Sequence, residues 1–150
     1  MKKINLLLAM ALGLFAMLTI TAETASATNW IELPGTDGLR YIDADSAVKQ
    51  GNTLIYWFMK MDSNGRFQGV PVSKSLAKVV VDLHTPRRSK WVLVVYFDAN
   101  DQQIGSPFYN PNQNDWENAS SSQNQYINFV LPYAKERQDT GAIPAAVSDH

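Results

Sequence analysis

The stretch Arg40-Tyr-Ile-Asp-Ala-Asp-Ser-Ala-Val-Lys-Gln-Gly-Asn-Thr-Leu-Ile-Tyr-Trp-Phe-Met-Lys-Met61 decides the fold. It reads as a strand, one tight helical turn, a Gly-Asn reversal and a long strand. Asp43 can cap the turn, because its carboxylate can accept backbone N–H groups near Ser46. Gly51 supplies the positive φ a tight reversal needs. Leu54 to Met59 is apolar or aromatic at every position, which predicts a central strand covered on both faces.

Upstream, Trp30 to Leu33 predicts a short strand and Pro34 to Gly38 a turn, so the strand over Leu39–Asp43 closes a hairpin. Leu33-Pro-Gly-Thr36 lacks the glycine of a wall-sorting signal, since Asp37 stands in its place. Residues 1–27 have the layout of a secretory signal peptide. Lys2 and Lys3 form the basic start, Ile4 to Ile20 the apolar run, and Ala25-Ser26-Ala27 the cleavage triplet. The rival reading is an uncleaved anchor, because a membrane span needs about 20 apolar residues. Thr19, Thr21, Glu23 and Thr24, which break up the apolar run, and the triplet favour cleavage. The chain has no Cys, which closes the lipoprotein route and any disulfide.

The chain carries 13 basic and 14 acidic residues. Loss of Lys2, Lys3 and Glu23 with the leader leaves 11 against 13, without the basic excess of a nucleic-acid binder. The remainder, residues 28–137, has the length of one domain, and 138–150 reads as a small, polar, frayed tail.

Downstream of Met61, Asp62 to Gly65 is a polar loop, and Arg66 to Ser75 is irregular, with Pro71 barring a central strand. Leu76 to His84 alternates, with Ala77, Val79, Val81 and Leu83 on one face and Lys78, Val80, Asp82 and His84 on the other. Thr85 to Ser89 is a turn. Lys90 to Asp98 alternates again, with Trp91, Leu93, Val95 and Phe97 sharing a face. Asp98 to Asp101 is a hairpin turn, and Gln103 to Phe108 a weak edge strand limited by Gly105 and Pro107. About six strands joined by short connections predict an antiparallel meander.

Tyr109 to Ser122, rich in Asn, Gln, Pro and Ser, is a surface loop that Trp116 anchors onto the core. Tyr126, Ile127, Phe129, Val130 and Tyr133 have helical spacing, and Ser122 with Gln125 fits a capping box. Pro132 costs about 3 kcal/mol inside a helix, so two short helices or one kinked helix is expected, with a strand over 125–131 as the alternative. The predicted class is α+β: an antiparallel sheet with a C-terminal helix packed on one face.

The ordered set Trp30-Ile-Glu-Leu33, Tyr41-Ile-Asp-Ala-Asp-Ser46, the Gly-Asn turn, the strand with Trp57, Val79-Val-Val-Asp82, Arg87-Arg88, Val94-Val-Tyr-Phe-Asp98 and Trp116 resembles the bacterial surface-adhesin E domain family, the family of Haemophilus protein E. The likeness runs from Trp30 to about Ala134. It implies a small antiparallel sheet with a terminal helix on one face and a surface or periplasmic location. For the named member it implies binding of host matrix proteins such as laminin and vitronectin. The family often pairs a Cys just after the residue matching Asp82 with one near the end of the helix. Here Leu83 takes that place, so the helix must be held by packing alone, without the ~2–4 kcal/mol a cross-link can add.

Catalytic chemistry finds few candidates. His84 and His150 are the only histidines, too few for a zinc site without carboxylates, and a Ser-His-Asp site would have to use His84. Asp98-Ala-Asn-Asp101 lacks the Gly and Glu of a calcium loop. Asp43 and Asp45 point apart around their turn. Asn118-Ala-Ser120 matches a glycosylation sequon in a chain of bacterial character. No catalytic residue, metal or cofactor is assigned. The candidate partner-binding residues are Arg87, Arg88 and Lys90 beside His84, a basic turn suited to an acidic partner or glycan, and Trp116 among adaptable amides. The expectation is an exported, non-catalytic, adhesin-like binding module for a host matrix protein or glycan. The alternative is a periplasmic structural or accessory protein that binds another envelope protein.

Overall fold

A computed structural model describes residues 28–61 and 64–146. The predicted signal peptide over 1–27 and the last four residues of the tail lie outside the described residues. The long apolar strand is central, as its two apolar faces require. β4 (Thr53–Lys60) pairs along its whole length with β7 (Lys74–Asp82), from Thr53↔Asp82 to Lys60↔Ser75. Its other side is shared by β2 (Arg40–Asp43) and β3 (Val48–Gln50). Between them residues 43–47 bulge out opposite Tyr56 and Trp57 as the expected tight turn. Asp43 is fully buried there, and its Oδ1 accepts the N–H groups of Asn29 at 2.8 Å and Asp45 at 3.2 Å. The cap therefore closes on the second residue of the turn and on Asn29, just ahead of the first strand. Gly51 turns β3 into β4 with φ of 59°, a value side-chain-bearing residues resist.

β1 (Trp30–Glu32) flanks β2, and β8 (Arg88–Phe97) flanks β7. The outer side of β8 is covered piecemeal. β10 (Glu117–Asn118) pairs at Arg88–Ser89, β9 (Phe108–Tyr109) at Leu93–Val94, and Gln103 makes a single bridge to Phe97. β11 (Lys135–Glu136) lies parallel to β3. The sheet has nine strands among the described residues, with a separate ribbon of β5 (Arg66–Phe67) and β6 (Val70–Pro71). The expectation of about six strands is corrected upward because β3, β9, β10 and β11 are two- or three-residue pieces. Gln103–Phe108 is not a continuous strand: Gly105 takes φ of 63° and Pro107 has no N–H to give, which leaves only the Gln103 bridge and the start of β9 at Phe108.

Helix α1 (Ser121–Val130) packs on the sheet, followed by a 3-10 turn at Leu131–Tyr133 that accommodates Pro132. The capping box sits two residues earlier than Ser122/Gln125. Ser120 Oγ accepts the Gln123 N–H at 3.2 Å, and Gln123 Oε1 accepts the Ser120 N–H at 2.8 Å. That start turns Ile127 and Val130 fully inward, onto Leu33, Ile42, Leu54, Tyr56 and Val81. Burial, with Tyr126 nearby, pushes the Tyr56 phenol well above its ordinary value. Phe129 and Tyr126 pack at the margin of this core, as the helical spacing predicted.

The opposite face of the sheet holds a second core of Trp57, Met59, Leu76, Leu93, Val95 and Phe97. Trp91 is not part of it. Lys78 pairs with Leu93 but Val79 with Trp91, so Val92 is an extra residue in β8. The bulge swaps the alternation, and Trp91 turns to the helix side, 37 % exposed.

The tail differs from the frayed segment expected. Asp139 pairs with Lys78, which is 9 % exposed between Trp57 and Leu93 on the neighbouring strands. Pro144 is buried, Ala146 packs on the second core, and the Ala145 carbonyl accepts the Trp30 Nε1–H at 3.0 Å. The tail thus straps the face that the helix leaves open. Among the described residues, no helix is long and apolar enough to cross a membrane.

Candidate functional site

The turn after β7 and the start of β8 carry the basic residues read from the sequence. Arg87 and Arg88 are adjacent where strand alternation begins, so they diverge to opposite faces. Arg87 turns to the helix, where its Nη1 donates to Asn128 Oδ1 at 2.7 Å. Arg88 turns the other way and donates from Nη2 to Asp82 Oδ2 at 3.0 Å. Lys90 follows Arg88 on that side, donating to the Gln113 carbonyl at 2.7 Å. Trp116 sits between these two cations, its ring centre 5.6 Å from Arg88 Cζ and 4.6 Å from Lys90 Nζ. The structure therefore brings Arg88, Lys90 and Trp116 together and parts Arg87 from them. Trp116 is half-buried and ties its loop to β8 through cation–π contacts, worth about 0.5–1 kcal/mol each at exposed sites.

Asp82 organises the end of β7. Its Oδ1 receives His84 Nδ1 at 2.6 Å, and Asn52 Nδ2 reaches His84 Nε2 at 3.0 Å. The amide can only donate to Nε2, so the proton stands on Nδ1 and points at Asp82. Both ring nitrogens are engaged, and Nε2, the position a general base would use, is taken by Asn52. The His84 hydrogen bond, then Arg88, hold the Asp82 carboxyl well below its ordinary value, at about 2. Among the described residues no group of three or more His, Asp or Glu is placed to hold a metal ion.

Beside Arg87 the turn opens into a groove of about 470 Å³ against the helix, lined by Thr85, Pro86, Arg87, Asn118, Asn124 and Asn128. Its polar lining is one guanidinium, three amides and a hydroxyl, groups that donate and accept, beside the apolar Pro86 and Ala119. Sequence reasoning named Arg87 here but missed the three asparagines. Asn124 and Asn128 are four residues apart and so share a helix face, a signal available once the helix start is set at Ser120.

On the same face of the sheet, β8 bears an aromatic row that sequence reasoning also missed. Tyr96 and Phe67 have ring centres 4.5 Å apart, Phe67 and Phe108 6.2 Å, and Phe108 and Trp91 5.9 Å. Phe108 and Trp91 are 43 % and 37 % exposed. Helix α1 covers β2, β4 and β7 and stops short of these rings.

No known protein family, curated protein or solved structure matches the chain.

Proposed function

We propose that the protein is a non-catalytic binding module of the cell envelope, similar to the surface-adhesin E domains, that takes a glycan or a host matrix protein. The groove beside Arg87 carries this reading. Its guanidinium and amides offer donors and acceptors to sugar hydroxyls or peptide groups, and binding sites place a few such groups to fix orientation. Arg87 supplies the charge of that lining, while Arg88, on the opposite face, is bonded to Asp82. Export rests on the sequence of residues 1–27, with the basic start, the apolar run and the small-residue triplet in order.

Solid-phase binding to laminin, vitronectin and a panel of glycans tests the proposal. Saturable binding that falls at least tenfold in Arg87→Ala/Asn124→Ala supports it. No saturable binding, or binding unchanged in that variant, removes the groove and the adhesin reading with it.

A further inference from the structure

We propose that the aromatic row of Trp91, Phe108, Phe67 and Tyr96 is a self-association surface whose occupant is the same row on a second copy of this chain. The row is a contiguous aromatic strip, with Trp91 and Phe108 exposed and Phe67 and Tyr96 half-buried, on a sheet face otherwise covered by a helix, and exposed apolar strips mark contact surfaces. Its two ends carry opposite charge. At the Trp91 end a recess is lined by Asp115, Glu117 and Lys90, two acids to one base, and Lys90 is committed to the Gln113 carbonyl and the Trp116 ring. At the Tyr96 end a recess lined by Phe67 and Tyr96 holds Lys60 and Arg66, the latter also donating to the Gly69 carbonyl at 2.8 Å. Asp62, in the adjoining loop, lies outside the described residues.

A surface that runs from acidic to basic is complementary to itself once it is reversed. A two-fold axis lying across the middle of the row turns the second copy over and reverses its direction. Ring then meets ring, and each acidic end meets the partner's basic end, the isologous contact expected of a symmetric dimer. The axis along the row would instead set acid on acid. Helix α1 packs against Leu54, Tyr56 and Val81, towards the Trp91 end, so the same reversal separates the two helices along the strands. Four rings with charged rims make a small interface, which places the dimer in the weak, concentration-dependent class. This surface is separate from the Arg87 groove, so either proposal can fail alone.

The test is sedimentation velocity of the protein as isolated from the cells that express it, over a micromolar to near-millimolar range. The expected result is a monomer–dimer equilibrium weakened at least tenfold by Phe108→Ser. Asp115→Lys/Glu117→Lys and Lys60→Glu/Arg66→Glu should each abolish self-association. An equimolar mixture of these two variants should dimerise again, because both contacts in the mixed pair are restored. A chain that stays monomeric throughout overturns the proposal, as does a dimer indifferent to all three variants or a mixture no better than its parts. A monomer whose Phe108→Ser variant loses a matrix protein also overturns it and gives the row to a foreign partner.

Discussion

Asp139→Ala should destabilise the protein more than Lys78→Met, although both break the same ion pair. Lys78 has 11 % of its side chain exposed and lies on the second core, between Trp57 and Leu93 on neighbouring strands. Asp139 arrives from the tail with 25 % of its side chain still in water. Removing the carboxylate strands an ammonium under the strap, and breaking a fully buried pair in this way costs about 3–5 kcal/mol. The tail can lift to let water reach Lys78, so the expected loss is about 2 kcal/mol, below that range. In a domain of this size that corresponds to a drop in Tm of about 6–10 °C. Lys78→Met keeps the apolar stem and leaves a carboxylate that is already partly hydrated. Its cost should be within about 1 kcal/mol, and the double variant should match Lys78→Met alone. Urea unfolding followed by tryptophan fluorescence measures all three. An Asp139→Ala loss equal to or smaller than that of Lys78→Met would refute the reasoning and mean that the strap does not enclose the lysine.

Ile127→Ala removes a fully buried clamp between helix and sheet and should cost about 2–5 kcal/mol, whereas exposed Gln125→Ala should stay within about 0.5 kcal/mol, both read from urea midpoints. Asp82 has a depressed folded pKa, so its contribution to stability is present above the ordinary carboxylate value and is lost as pH falls towards about 2. Carbon-13 NMR should place its midpoint near 2 and show it rising in His84→Ala, where the strongest hydrogen bond to the carboxylate is gone; an unchanged midpoint would mean that His84 does not hold it down.

The central strands were legible for a physical reason. A strand buried on both faces, such as 54–59, is apolar throughout, and one that straddles two environments, such as 76–84, alternates. The helix was legible from its 3.6-residue spacing. Its start was not, because Ser120/Gln123 and Ser122/Gln125 are overlapping copies of one capping pattern, and only the demand that Ile127 and Val130 face inward separates them. The Val92 bulge falls inside Val92-Leu-Val-Val95, where every position is apolar and a change of parity leaves no trace. Two-residue edge strands are too short to show any period. The strap was hidden for another reason: the Lys78–Asp139 pair spans 61 residues of sequence, and small residues such as Ala145 and Ala146 carry no pattern. At the candidate site the basic turn was visible as composition, but the parting of Arg87 from Arg88 follows only from where strand alternation begins. The aromatic row escaped because Phe67, Trp91, Tyr96 and Phe108 come from three separate segments.

The hydrogen bond from Trp30 to the Ala145 carbonyl has a topological consequence. It brings the beginning and the end of the folded chain to one corner of the molecule. A short linker could join residue 146 back to residue 28, and new ends could be cut at the exposed Ala99–Asn100 turn without breaking any long strand. A label or surface tether at residue 28 or residue 146 would occupy that corner and leave the groove and the aromatic row on the far side of the sheet unobstructed.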